Sequence, residues 1–133
     1  MQVFIDTNVL ISAALSHEGT PFAAYAKAVS KPNRAVICDQ NIEEARRIFQ
    51  KKFPTKIAAL DEFFTRALAE VELVNVPDDA VASEELVRDT ADRTILRSAV
   101  ASNCDVLLTG DRDLLDAGIA APAVMSPRRF LCK

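Results

Sequence analysis

Strand-like and helical segments alternate along the sequence, which predicts an α/β fold around a mostly parallel sheet. Three observations carry that expectation. Short apolar runs at residues 2–5, 35–38, 73–76, 106–109 and 123–125 are separated mostly by stretches of helical periodicity. The run Val106–Leu107–Leu108–Thr109 has no polar alternation, as expected of a strand covered on both faces. The noteworthy acids fall where strands end and helices begin, the edge at which open α/β sheets place their ligands.

Each element has its own justification. Gln2–Ile5 reads as the first strand, and Asp6 caps a helix running from Thr7 to Leu15. Ser16–Pro21 is a loop, and a second helix from Pro21 to Val29 starts with proline at its first position. Ala35–Cys38 is the second strand. Asp39 is the expected cap of a helix reaching about Phe53, with Ile42, Ala45, Ile48, Phe49 and Phe53 as its apolar stripe. Pro54 breaks the chain. A further helix is expected from Lys56 to about Glu70, with Ile57, Leu60, Phe63, Phe64 and Leu68 facing inward. Leu73–Val76 is a short strand, and Ala80–Arg88 a loop or broken helical turn.

The stretch from Asp89 to Leu115 is the most informative. Asp89 can cap a helix whose residues Ala91, Ile95, Leu96, Ala99 and Val100 recur at helical spacing. Asp92 lies on that same stripe, so its carboxylate faces inward and needs a compensating partner. The 106–109 strand then delivers Asp111 and Asp113 into a turn after Gly110. Ala123–Met125 is a last strand, and Ser126–Leu131 a final helical turn with Phe130 and Leu131 packing inward.

Composition bounds the answer. A chain of 133 residues, half of them apolar, fits one globular domain spanning 1–133. No apolar run approaches the roughly 18 residues of a membrane span, and Asp6 and Asn8 interrupt any signal-peptide core. Cys38, Cys104 and Cys132 are scattered and odd in number, which fits reduced cytoplasmic thiols rather than a disulfide framework or a zinc site. A net charge of −3 argues weakly against a nucleic-acid partner if it is spread evenly. It says less if several acids are gathered to hold metal.

The topology collects Asp6, Glu43 or Glu44, Asp92, Asp111 and Asp113 at one sheet edge. Periodicity does not choose between the two glutamates. Clustered carboxylates cannot all stay ionised without compensation, and an all-oxygen set favours Mg²⁺ or Mn²⁺ over zinc. His17 sits in a loop and is no obvious base. With three glycines the chain has no phosphate-cradling loop. The nucleophile for any chemistry here is therefore expected to be a water activated by metal.

The segments VFIDTNVLISA, the acid before ARRIF, ADRTILRSAVASNCDVLLTGDRDLL and SPRRFL together resemble the PIN domain, the nuclease fold of VapC-type toxins in bacterial toxin–antitoxin systems. The likeness spans nearly the whole chain. It implies a three-layer α/β/α fold and RNA cleavage with Mg²⁺ or Mn²⁺. By matching motif it implies Asp6, Glu44, Asp92 and Asp111 as catalytic ligands, Asp113 as a fifth, and Asn8 and Thr109 in support. It also implies an antitoxin partner and a homodimer. Arg46, Arg47, Lys51, Lys52, Arg93, Arg97 and Arg112 are candidate phosphate contacts, each weighed against a place on a solvated helix face.

Rival readings stay open. A haloacid-dehalogenase-type phosphatase wants a second aspartate where Asn8 stands. A receiver domain wants an acidic pair near the first strand and a late lysine, and Asp6 stands alone. A catalytically silent PIN-like module that only binds a protein partner is the remaining alternative.

Overall fold

The computed structural model describes all residues, Met1–Lys133. Five strands form one sheet: β1 (Gln2–Ile5), β2 (Arg34–Cys38), β3 (Glu72–Val74), β4 (Val106–Leu108) and β5 (Ala123–Met125). Their spatial order is β3-β2-β1-β4-β5, and every pair is parallel rather than most of them. The helices are α1 (Thr7–Leu15), α2 (Thr20–Val29), α3 (Asp39–Lys52), α4 (Ile57–Ala67), α5 (Thr90–Ala101), α6 (Arg112–Leu115) and α7 (Pro127–Leu131). Short 3₁₀ turns occupy Pro54–Lys56 and Ala82–Leu86.

The strands alternate strictly across the sheet, because successive side chains point to opposite faces. Val3, Ile5, Ala35, Ile37, Val106 and Leu108 pack with residues of α1, α2, α3, α4 and α7. Phe4, Val36, Cys38 and Leu107 pack with Ile95, Leu96 and Ala99 of α5 and Leu114 of α6. The result is three layers, with an apolar core on each side of the sheet. Cys38 and Cys104 are buried and Cys132 is exposed. Burial pushes the Cys104 thiol up to about 12, so it behaves as a small apolar side chain.

Chain order runs outward from β1 through β2 to β3, then returns across the sheet to β4. The direction of winding reverses between β1 and β4, so their carboxyl ends flank an open crevice. The backbone at this point is tied into the sheet. Asp6 N–H donates to the Leu108 carbonyl and Thr109 N–H to the Met125 carbonyl, each at 2.9 Å. Helix α5 stops sharply before β4. Asn103 adopts a left-handed φ of 54°, and Cys104 N–H reaches back to the Ala99 carbonyl at 3.1 Å. Asparagine tolerates this conformation, which satisfies carbonyls at the helix end.

Three local expectations are corrected. Helix α3 is capped at Cys38, whose N–H donates to the Asn41 side chain at 2.7 Å. Asp39 lies inside the first turn and accepts from Gln40 and Val76 N–H. Helix α4 ends at Ala67, which is buried, and leaves Leu68 44% exposed. Leu131 is also exposed, and Phe130 alone seats α7 against the core.

Candidate metal centre

Asp6 is the most buried acid of the crevice, 3% exposed. It caps α1 through Thr7 N–H at 2.7 Å. Its other oxygen accepts from the Thr109 hydroxyl at 2.8 Å and the Asn8 amide at 3.2 Å. Asn8 accepts in turn from Gly110 N–H, and Thr109 Oγ1 from Asp111 N–H. Asn8 and Thr109 thus join the end of β1 to the end of β4 around one carboxylate. Asn41 extends the scaffold from α3, donating to Thr7 Oγ1 at 2.9 Å. Burial pushes the Asp6 carboxyl up to about 6 against the pull of these hydrogen bonds, and the charges of Glu44 and Asp111 add to the rise.

Asp92 opens α5 from the other side of the crevice. Its carboxyl is raised to about 8, by burial first and then by Asp111, which faces it as a hydrogen-bonding neighbour; Asp6 and Asp89 add charge. Asp92 therefore holds its proton more tightly than a free carboxyl does, because a carboxylate beside other acids in a buried place is costly to ionise. The second Asp92 oxygen, Oδ2, is buried with no hydrogen-bond partner. A buried acceptor left unpaired costs about 1–3 kcal/mol, and no donor of this chain is placed to relieve it.

The other acids differ in position. Asp111 caps α6 through Asp113 N–H at 2.9 Å and is half-buried. Asp113 is exposed and its carboxylate pairs with Arg88 at 3.1 Å. Glu44 is half-buried and Glu43 exposed. Asp89 caps α5 through Ala91 N–H, as its place in the sequence suggests. In the arrangement seen, no three carboxylates already converge on a single coordination sphere. The orphaned Oδ2 and two carboxyls held above their usual range nevertheless fit a hard divalent cation. Such an ion would supply the missing partner and let the acids ionise.

The surroundings are open and polar. A cavity of about 410 Å³ beside Asp111 is lined by Asn8, Ser12, Gly110 and Pro127 among others. A second concavity of about 350 Å³ runs along Asp39, Gln40, Glu43, Glu44, Arg47 and Ala91. The hollow between α1, α2 and α4, with Phe22, Tyr25 and Phe63, is lined by none of the crevice acids. His17 stacks on Phe22 there, at 4.7 Å between ring centroids.

The basic candidates divide. Arg47 lines the concavity beside Glu44. Arg46 and Arg112 make exposed pairs with Asp61 and Asp116, which are weak. Arg93 Nε donates to the Val87 carbonyl. Arg97 is engaged elsewhere: it pairs with buried Glu84 at 2.9 Å and donates to the Pro77 carbonyl at 3.0 Å. The sequence reading missed Glu84, Gln40, Asn41 and Thr94. Gln40 had one usable signal, its place one helical turn before Glu44.

A parallel three-layer fold with acids at its winding reversal defines a class of α/β proteins built for a polar or charged ligand. The family model described as PIN domain matches residues 2–113. The chain belongs to the PIN-domain family. A search of curated proteins returns no significant match. Among solved structures, the fold is similar to a chain of VapBC2 from Rickettsia felis, solved bound to a DNA fragment from their promoter. That likeness has a TM-score of 0.70 at 19% identity over 95% of this chain and 98% of the other. It is also similar to PAE2754 from Pyrobaculum aerophilum, with a TM-score of 0.68 at 20% identity over 100% and 91%. A third likeness is to VapC20 from Mycobacterium tuberculosis, described as a sarcin-ricin loop cleaving toxin. Its TM-score is 0.63 at 18% identity over 89% and 96%.

Proposed function

We propose that the chain is a Mg²⁺- or Mn²⁺-dependent endoribonuclease acting as the toxin of a type II toxin–antitoxin pair. The observation that carries the reading is the orphaned, buried Oδ2 of Asp92, facing Asp111 across the crevice from Asp6. Asp6, Asp92 and Asp111 would hold the principal ion. Glu44, with Asp113 released from Arg88, would hold a second. Bound there, the metal supplies an activated water and positive charge for attack on a phosphodiester. Asn8 and Thr109 keep the Asp6 carboxylate oriented, and Gly110 N–H holds Asn8 in place. Arg47, with Arg46, Arg93 and Arg112, lies on the helices flanking the acids and would meet the RNA backbone.

Family membership supports a nuclease. A toxin among the solved structures of the same fold supports the toxin role. A toxin implies a neutralising antitoxin, and a cytoplasmic setting and a homodimer complete the proposal. The test is cleavage of a mixed RNA pool by the purified chain in Mn²⁺, with a chelator control. Cleavage should depend on metal and vanish in Asp6→Asn and Glu44→Gln. A well-folded chain that neither cleaves RNA nor gains thermal stability from millimolar Mn²⁺ is the silent binding module instead.

A further inference from the structure

Helices α3 and α5 each bring an acid to the crevice, Glu44 and Asp92, and one side chain of α3 hydrogen-bonds to α5: Gln40. Its amide nitrogen donates to Glu44 Oε1 at 2.5 Å and to the Ala91 carbonyl at 3.2 Å. Its amide oxygen lies 2.5 Å from the Thr94 hydroxyl, whose one proton is within reach of both this oxygen and the Ala91 carbonyl at 2.8 Å. Chemistry dictates the amide's orientation: two acceptors lie on one side and a hydroxyl on the other, so the nitrogen must face Glu44. Ala91 and Thr94 bracket Asp92 in the first turns of α5. Gln40 therefore holds the Glu44 carboxylate and grips the turn that carries Asp92.

We infer that Gln40, braced by Thr94, is a positioning residue that sets the spacing of Glu44 from Asp92 and so tunes divalent-cation binding in the crevice. The inference rests on the proposed reading of the acids as a metal site. Like charges on the two helices push them apart, and a hydrogen-bonded link resists that push. A neutral amide suits the role. A lysine or arginine at position 40 would neutralise Glu44 and compete with the ion, and a carboxylate would add to the repulsion. Partners of this kind, one step removed from the ion, typically carry a 10–100-fold effect on metal affinity.

The experiment is Mn²⁺ titration of the full chain by calorimetry, with the metal-free thermal midpoint measured for every variant. Gln40→Ala should weaken Mn²⁺ binding on the order of 10-fold while the metal-free protein stays folded. Thr94→Val should weaken it in the same direction, and Thr94→Ser should restore it. The double variant should be no worse than Gln40→Ala, because both act through one network. A purely structural role would lower the metal-free midpoint and leave Mn²⁺ affinity alone. If Gln40→Ala does not fold, Thr94→Val decides. Wild-type affinity in Gln40→Ala or Thr94→Val, with Asp92→Asn unable to bind, overturns the inference and leaves the metal-site reading standing. Wild-type protein that ignores Mn²⁺, or an Asp92→Asn variant that binds normally, overturns both.

Discussion

The Thr109 hydroxyl donates to Asp6 across 103 residues of sequence, and the same oxygen accepts from Asp111 N–H. One side chain thus couples the acid that ends β1 to the acid that follows β4. Thr109→Val keeps the shape, strands the Asp111 N–H and removes a donor from a buried carboxylate. The variant should lose about 1–3 kcal/mol in denaturant unfolding without metal, and Thr109→Ser should recover most of it. An unchanged unfolding midpoint would show that water replaces the hydroxyl at no cost.

The metal-free protein should lose stability as pH rises. Asp6 and Asp92 bind their protons more tightly when folded, at about 6 and about 8 against 3.8 unfolded. Between those limits the native state carries more protons than the unfolded state, so the stabilisation present at pH 4 fades through pH 6 to 8. With chelator present, the thermal midpoint should be higher at pH 5 than at pH 8, and saturating Mn²⁺ should narrow or reverse the difference. A midpoint that climbs across this range would mean that neither carboxyl is raised.

Asp92→Asn should separate stability from function. The substitution removes a buried charge and gives Asp111 a donor in place of a rival acid. The metal-free variant should gain about 1 kcal/mol at pH 8, while its response to Mn²⁺ and its RNA cleavage disappear. Loss of stability at that pH would contradict the strain assigned to the pair.

Arg97 and Glu84 offer a contrast within the same helix layer. Their pair is largely sheltered, with side chains 18% and 8% exposed. Arg97 holds the Glu84 carboxyl below its usual range. Arg97→Ala should leave an unpaired acid under the 77–87 segment and lower the thermal midpoint by several degrees, while the shift produced by Mn²⁺ stays as in wild type. A variant of normal stability with weakened RNA binding would restore Arg97 as a phosphate contact.

Much of this fold is legible in the sequence because a buried parallel strand and an amphipathic helix leave strong periodic traces. Four strands and the major helices fall where those traces put them, while β3 lies earlier than expected, at Glu72–Val74 rather than 73–76. The strand order and the switch to a wholly parallel sheet leave none. Local corrections come from one-residue ambiguities: Ala67 fills the position expected of Leu68, and Cys38 caps where Asp39 has the better capping chemistry. The acids are legible because an inward carboxylate breaks the apolar pattern, as Asp92 does. Gln40 and Glu84 were hidden for the opposite reason. A polar residue on a helix or in a loop looks solvated until its partner, 13 residues away for Glu84 and 54 for Gln40, is in place.

The backbone bonds from Asp6 to Leu108 and from Thr109 to Met125 have a kinetic meaning. The Asp6 amide joins the two central strands and should exchange its hydrogen only when the whole domain opens, while the Thr109 amide is held against the edge strand β5. Asp92 and Glu44 ride on helix ends, where opening is cheaper. The crevice therefore joins a fixed wall to a breathing one, and any ion held between them would slow exchange on the helical side far more than on the sheet.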